Sequence, residues 1–208
     1  GRHPLPNPDQ LAQKLSTIGI NSGETWVIAY DDSRFAFASR LWWLLRYLGH
    51  DKIALLDGGW SGWQRNHYPV SQDIPTSSPG NFMAKPQSDW IVDIETVKAN
   101  QKNPLSVLID SRERDRYQGE REPIDPIAGH IPGAICLPWQ EVTDKQGNCL
   151  PIEAQQERWA DYVNSEEMIV YCGSGVTACV NLFSLAIAGL SPAKLYPGGW
   201  SDWCSYLT

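Results

Sequence analysis

Met168-Ile169-Val170-Tyr171-Cys172-Gly173-Ser174-Gly175-Val176-Thr177-Ala178 sets a short apolar run, a glycine-broken loop and the start of an apolar helical stretch end to end. An earlier stretch, Val27-Ile28-Ala29-Tyr30-Asp31-Asp32-Ser33, opens the same way. Each is followed, at distances equal to within one residue, by a related motif: Leu56-Asp57-Gly58-Gly59-Trp60-Ser61-Gly62-Trp63 in the first case and Tyr196-Pro197-Gly198-Gly199-Trp200-Ser201-Asp202-Trp203 in the second. Upstream, residues 5–15 and 150–162 both open on Leu-Pro and continue as an amphipathic pattern. Each half therefore reads Leu-Pro, helix, strand, loop, helix, strand, Gly-Gly-Trp, an internal repeat whose alternation predicts an α/β fold with parallel strands.

The runs 26–30, 107–109 and 168–171 suit strands buried on both faces. Between them, 35–48 and 176–190 suit helices, each closing near a glycine, Gly49 and Gly189. Residues 71–89 are rich in Pro, Ser, Gly and Gln and lack periodicity, so they read as a linker between a domain at 1–70 and a second at 90–208. The second half carries a leading section, 90–139, with no counterpart in the first. The expectation is a first domain truncated at its N-terminus, or one whose opening strands lie before Gly1.

A net charge of -7 over 208 residues argues against nucleic acid or an anionic membrane as the main partner, since both reward basic surfaces. No apolar run reaches the length of about eighteen residues that a bilayer span needs. The five cysteines, at 136, 149, 172, 179 and 204, form no CxxC pair and no zinc-like spacing with histidine. Free thiols, a reducing cytoplasmic compartment and no metal are expected.

Cys172 follows a buried strand and precedes a helix, where backbone N–H groups and the positive helix end favour a thiolate. Gly173 and Gly175 let the backbone curl around the sulfur, the amides through Val176 and Thr177 add donors, and Ser174 and Thr177 add hydroxyls. The bland alternative is a cysteine buried as a small hydrophobe. The repeat supplies a control: Asp31 stands at the corresponding position of the first half, with Arg34 and Phe35 where Gly175 and Val176 stand. A cysteine phosphatase is disfavoured because its loop closes on an arginine, whereas positions 178 and 179 are Ala178 and Cys179.

Taken together, Asp110-Ser111-Arg112, Arg116-Tyr117, Gly129-His130-Ile131-Pro132-Gly133-Ala134, the Cys172 loop and the paired Gly-Gly-Trp motifs resemble the tandem-domain rhodanese family, in particular its 3-mercaptopyruvate sulfurtransferase branch. The resemblance implies two rhodanese-like domains, the first degenerate and the second catalytic, with no cofactor. It implies Cys172 as a persulfide-forming nucleophile, Ser174 as its catalytic neighbour, and Arg116 and Arg121 as contacts for the carboxylate of a small anionic donor. The neutral pair Gly173 and Ser174 favours mercaptopyruvate over thiosulfate. A thiol such as thioredoxin, or cyanide, would accept the sulfur. The alternatives are a thiosulfate:cyanide sulfurtransferase and a noncatalytic persulfide carrier. The family's aspartate and histidine partners for Ser174 would precede Gly1, and His3, in a proline-rich opening, is not expected to replace them. Asp110 with Arg112 reads as a loop-ordering ion pair and His130 as a turn anchor. Trp60, Trp63, Trp200 and Trp203 are expected to cap two cores, with their indole N–H groups satisfied at a domain interface.

Overall fold

The N-terminal half builds two short parallel strands and three helices: α1 (Pro8–Thr17), β1 (Val27–Ala29), α2 (Ala38–Tyr47), β2 (Ile53–Leu55) and α3 (Gly59–Arg65). In the computed structural model, which describes residues 1–190 and 193–207, the chain forms two units. The N-terminal unit comprises Leu5–Ser88 with Lys145–Asn148; the C-terminal unit comprises Gly1–Pro4, Asp89–Asp144 and Cys149–Thr208. Residues 1–4, read from the sequence as part of the first domain, thus pack with the second, because Arg2 pairs with Asp125 and His3 with Ser174. Lys145–Asn148 joins the N-terminal unit, where Gly147 lies against Arg34.

Local chemistry sets the element ends. Asn7 caps α1 by accepting from the N–H groups of Asp9 and Gln10 at 3.0 and 3.1 Å, with Pro8 inside the first turn. Such a cap stabilises by about 1 kcal/mol relative to alanine. Helix α2 begins at Ala38 rather than at 35, because Arg34 and Phe35 adopt positive φ of 58° and 69° and the Asp31 carboxylate claims the amides ahead of the helix. Strand β1 pairs with β2 in the register Val27↔Ile53. The expectation of burial on both faces fails for β1: Ala29 is buried, but Trp26, Ile28 and Tyr30 are all more than half exposed.

The C-terminal unit continues with α4 (Ile94–Asn100), β3 (Ser106–Asp110), α5 (Arg114–Gln118), β4 (Ile135–Cys136), α6 (Ile152–Trp159), β5 (Glu167–Tyr171), α7 (Ala178–Ile187), β6 (Lys194–Leu195) and α8 (Gly199–Trp203). Its sheet is parallel in the order β4-β3-β5-β6, with β3 and β5 matched from Ser106↔Glu167 to Asp110↔Tyr171. Strands β3 and β4 come from the leading section that the first half lacks, which is why one sheet has four strands and the other two. Here burial on both faces holds: Ile169 and Tyr171 join Ile94, Val97, Trp200 and Trp203 in one core, while Val170, turned the other way by strand alternation, is equally buried. On α6 and α7, Trp159 donates to Ser184 at 2.9 Å and Ser184 to Gln155 at 2.5 Å, so the polar atoms among these buried side chains are satisfied.

The repeated Gly-Gly-Trp motif has one steric cause in both units. Gly59 and Gly199 take φ of 60° and 62°, and a Cβ at either would overlap a backbone carbonyl, that of Asp31 or of Cys172 respectively. Each second glycine thus lets its motif close onto the residue at the end of the central strand. The tryptophans depart from expectation. Trp200 donates to the Ile127 carbonyl at 2.8 Å inside its own unit, and Trp63 to Pro69 at 3.0 Å. Trp60 is partly exposed, and the buried Trp203 N–H has no partner among the described residues.

Candidate active site

Strand β5 delivers Cys172 to the carboxyl edge of the sheet, and residues 173–177 carry the chain to the first turn of α7. Gly175 has φ 76°, and a Cβ there would stand 2.7 Å from the Pro197 carbonyl, so the loop admits only glycine at this point. Trp200 and Ser201 donate to the carbonyls of Cys172 and Gly173 at 2.8 and 2.9 Å, fixing those oxygens. Among the described residues, the N–H groups of Gly173, Ser174, Val176 and Thr177 donate to no protein acceptor. The matching loop of the N-terminal unit is filled: Asp31 accepts from Ser33, Phe35, Phe37 and Ala38 at 2.7, 3.0, 2.9 and 2.7 Å. One loop satisfies its amides with its own carboxylate, and the other leaves four of them without a protein acceptor among the described residues.

Two side chains that sequence reasoning set aside meet the Cys172 loop. His3 Nδ1 lies 2.7 Å from Ser174 Oγ, although its place near the start of the chain makes it a poor candidate to partner that serine. Arg2, which pairs with Asp125, brings its guanidinium to 3.2 Å from the position a Cβ would occupy on Gly173. Arg116 reaches the same place at 3.7 Å and is buried, bonded to Glu122 at 2.6 Å. Arg121 does not come to the loop: it is exposed and pairs with Asp115 at 2.6 Å. After Gly119 the chain turns this arginine back onto Asp115 in the first turn of α5. A histidine and an arginine adjacent in a segment that prolines hold extended was the only available signal for His3 and Arg2.

A chain of alternating charge supports these arginines. Arg112 bonds Asp110 at 2.7 Å, the Gly129 carbonyl at 2.6 Å and Glu122 at 3.2 Å, and lies over the Trp200 ring at 5.1 Å. Glu122 in turn bridges to Arg116. Burial works against the charge of Arg112, but its bonds to Asp110 outweigh it and raise the pKa. Burial likewise opposes ionisation of Glu122, and the bonds from Arg116 overcome it and hold the carboxyl below its ordinary range. Asp110 and Arg112 therefore order structure, as their spacing implies. His130 anchors its turn by Nδ1 on the Tyr117 carbonyl at 2.8 Å, and Ile131 N–H donates to the Tyr171 hydroxyl at 3.1 Å.

The other cysteines are poorly placed for chemistry. Burial, with Asp110 nearby, pushes the Cys136 thiol up to about 11, and burial also raises Cys204. Cys179 is fully buried, its sulfur on the Gly175 carbonyl at 3.5 Å. Cys172 is itself only 2% exposed, with Val176 and Thr177 half-buried beside it. Among the described residues there is no group of three or more His, Cys, Asp or Glu that could hold a metal ion. Among the described residues no helix is long and apolar enough to cross a membrane.

The rhodanese-like domain profile matches residues 2–66 and 93–206. The chain belongs to the rhodanese-like family. This rhodanese-like protein is 42% identical over 207 residues to a Pseudomonas aeruginosa protein named "Probable 3-mercaptopyruvate sulfurtransferase", covering 98% of this chain and 72% of that one. It is 30% identical to the mitochondrial thiosulfate/3-mercaptopyruvate sulfurtransferase 1 of Arabidopsis thaliana, covering 98% of this chain and 60% of that protein. Among solved structures, the 3-mercaptopyruvate sulfurtransferase SseA of Escherichia coli superposes with a TM-score of 0.81 at 32% identity, over 95% of this chain and 74% of that one.

Proposed function

We propose that this rhodanese-family sulfurtransferase moves sulfur from 3-mercaptopyruvate to a thiol or to cyanide through a persulfide on Cys172. The observation that carries the reading is the contrast between the two loops: Asp31 fills its own amide cradle, whereas the N–H groups of Gly173, Ser174, Val176 and Thr177 have no protein acceptor among the described residues. Backbone N–H groups left without a protein acceptor in the loop after Cys172 suit a negatively charged sulfur.

In the first step the Cys172 thiolate attacks the donor's sulfur, an S–S bond forms, and the carbon–sulfur bond breaks with its electron pair passing to the pyruvate enolate. The proton of the donor's thiol ends on the enolate carbon. Ser174 with His3 is the pair positioned to relay it, being hydrogen-bonded beside the loop. In the second step an acceptor thiolate, thioredoxin among the candidates, or cyanide attacks the outer sulfur and returns Cys172 as thiolate. Arg116 and Arg2, both against Gly173, are the carboxylate anchors, a role that passes from Arg121 to Arg2.

Two guanidiniums neutralised in part by Glu122 and Asp125 suit one carboxylate better than a compact dianion, which ranks thiosulfate second. The name of the Arabidopsis relative carries both donors. Treating the protein with 3-mercaptopyruvate should add about 32 mass units, one sulfur atom, to the intact chain. Steady-state turnover should vanish in C172S. Sulfur transfer by C172S at more than trace rate would reject the mechanism, and a mass gain without turnover would leave only a persulfide carrier.

A further inference from the structure

In the N-terminal unit, the space beside the lost nucleophile position has not closed. It is a cavity of about 310 Å³ bounded by the Asp31-Asp32 turn, Gly58 and Ser61 at the start of α3, Arg65 at its end, and Lys145 to Gly147. By volume it would hold roughly ten waters.

Three basic side chains, Arg34, Arg65 and Lys145, face this space together with the carboxylates of Asp31 and Asp32. The carboxylates are held by backbone N–H groups and not by the basic side chains. Both Asp31 oxygens accept from backbone N–H groups, Ser33 and Phe35 on one and Phe37 and Ala38 on the other. Asp32 Oδ1 accepts from Ser61 N–H at 2.7 Å. Arg65 and Lys145, by contrast, have no carboxylate within ion-pair distance among the described residues. The lining holds three basic side chains, Arg34, Arg65 and Lys145, against the two carboxylates of Asp31 and Asp32, so it is net positive in a protein of net charge -7.

We propose that this cavity is a noncatalytic binding site for a small tetrahedral oxyanion of the sulfate class. Arg65 and Lys145 would hold the ligand, because the amides of residues 33, 35, 37 and 38 are already occupied by Asp31. No cysteine lines it, so it binds such an anion without chemistry. The site does not depend on the reaction assigned to Cys172.

The test is titration of the full chain with sodium sulfate at constant ionic strength, with sodium chloride as the blank, read by amide chemical shifts. Saturable shifts at Ser61, Arg65 and Gly147 are expected, and the R65A/K145A variant should bind about tenfold more weakly. Both side chains are exposed, so the fold should be kept; K145A alone serves if the double variant melts earlier. Shifts confined to residues 173–177, an equal response to chloride, or unchanged affinity in the variants would overturn the proposal.

Discussion

His3 Nδ1 and Ser174 Oγ lie 2.7 Å apart, which joins the extended segment Gly1–Pro4 to the loop that carries Cys172. In the proposed mechanism this imidazole and hydroxyl form the acid–base pair. H3A should lower kcat for 3-mercaptopyruvate by about 100-fold or more, with a smaller change in KM. Thioredoxin reduction of a preformed persulfide should slow less, since that step needs no carbon protonation. Rapid-mixing measurement of each half-reaction separates the two. Equal slowing of both would assign His3 a purely structural role.

The guanidiniums of Arg2 and Arg116 meet at Gly173, whereas Arg121 is turned to Asp115 at the surface. R2A should raise KM for 3-mercaptopyruvate about tenfold while kcat moves little, as expected when a carboxylate contact common to substrate and transition state is lost. R121A should match the wild type in both parameters. Steady-state kinetics of the two variants side by side decide the matter, and the reverse pattern would restore Arg121 to the site.

The paired motifs made the repeat, the parallel sheets and the Cys172 loop legible in the sequence, because each rests on local chemistry: an apolar run, a glycine at a position where φ is positive, a helix start. Arg116 was singled out by the family resemblance, and the structure places it against Gly173. Arg2 and His3 were not legible, since their contacts to Asp125 and Ser174 cross more than a hundred positions of chain and leave no spacing signal. The exposed face of β1 was illegible too. An unbroken apolar run reads alike whether both faces are covered, as in β5, or only one.

Asp31 shows how a residue can be read correctly by position and incompletely by role. It stands where the repeat places a nucleophile, and its carboxylate accepts four amide hydrogen bonds at the head of α2. D31A would leave those donors to water or to nothing. A loss of about 2 kcal/mol is expected from the four lost hydrogen bonds, two of them part-buried. At this chain length that lowers the Tm by roughly 4–8 °C. D31N, which keeps one acceptor oxygen, should fall between D31A and the wild type. Thermal melts of the three proteins test the order, and a D31A melt equal to wild type would mean that the cradle contributes nothing to stability.

Glu122 is the hinge of the buried charge chain, bonded to Arg112 at 3.2 Å and to Arg116 at 2.6 Å. Burial favours its neutral form, but the bonds from Arg116 win and depress its folded pKa. A carboxyl whose folded pKa lies below its unfolded value of about 4.3 contributes stability that is complete above that pH and is lost as pH falls through the folded value. E122Q removes this linkage. Its urea midpoint should therefore lie well below the wild type at pH 7, and the gap should narrow steadily between pH 5 and pH 3 as protonation brings the wild-type side chain to the same neutral state. A gap that stays constant across this range would show that the glutamine disturbs packing instead, and that the charge on Glu122 does not hold Arg112 and Arg116 in place.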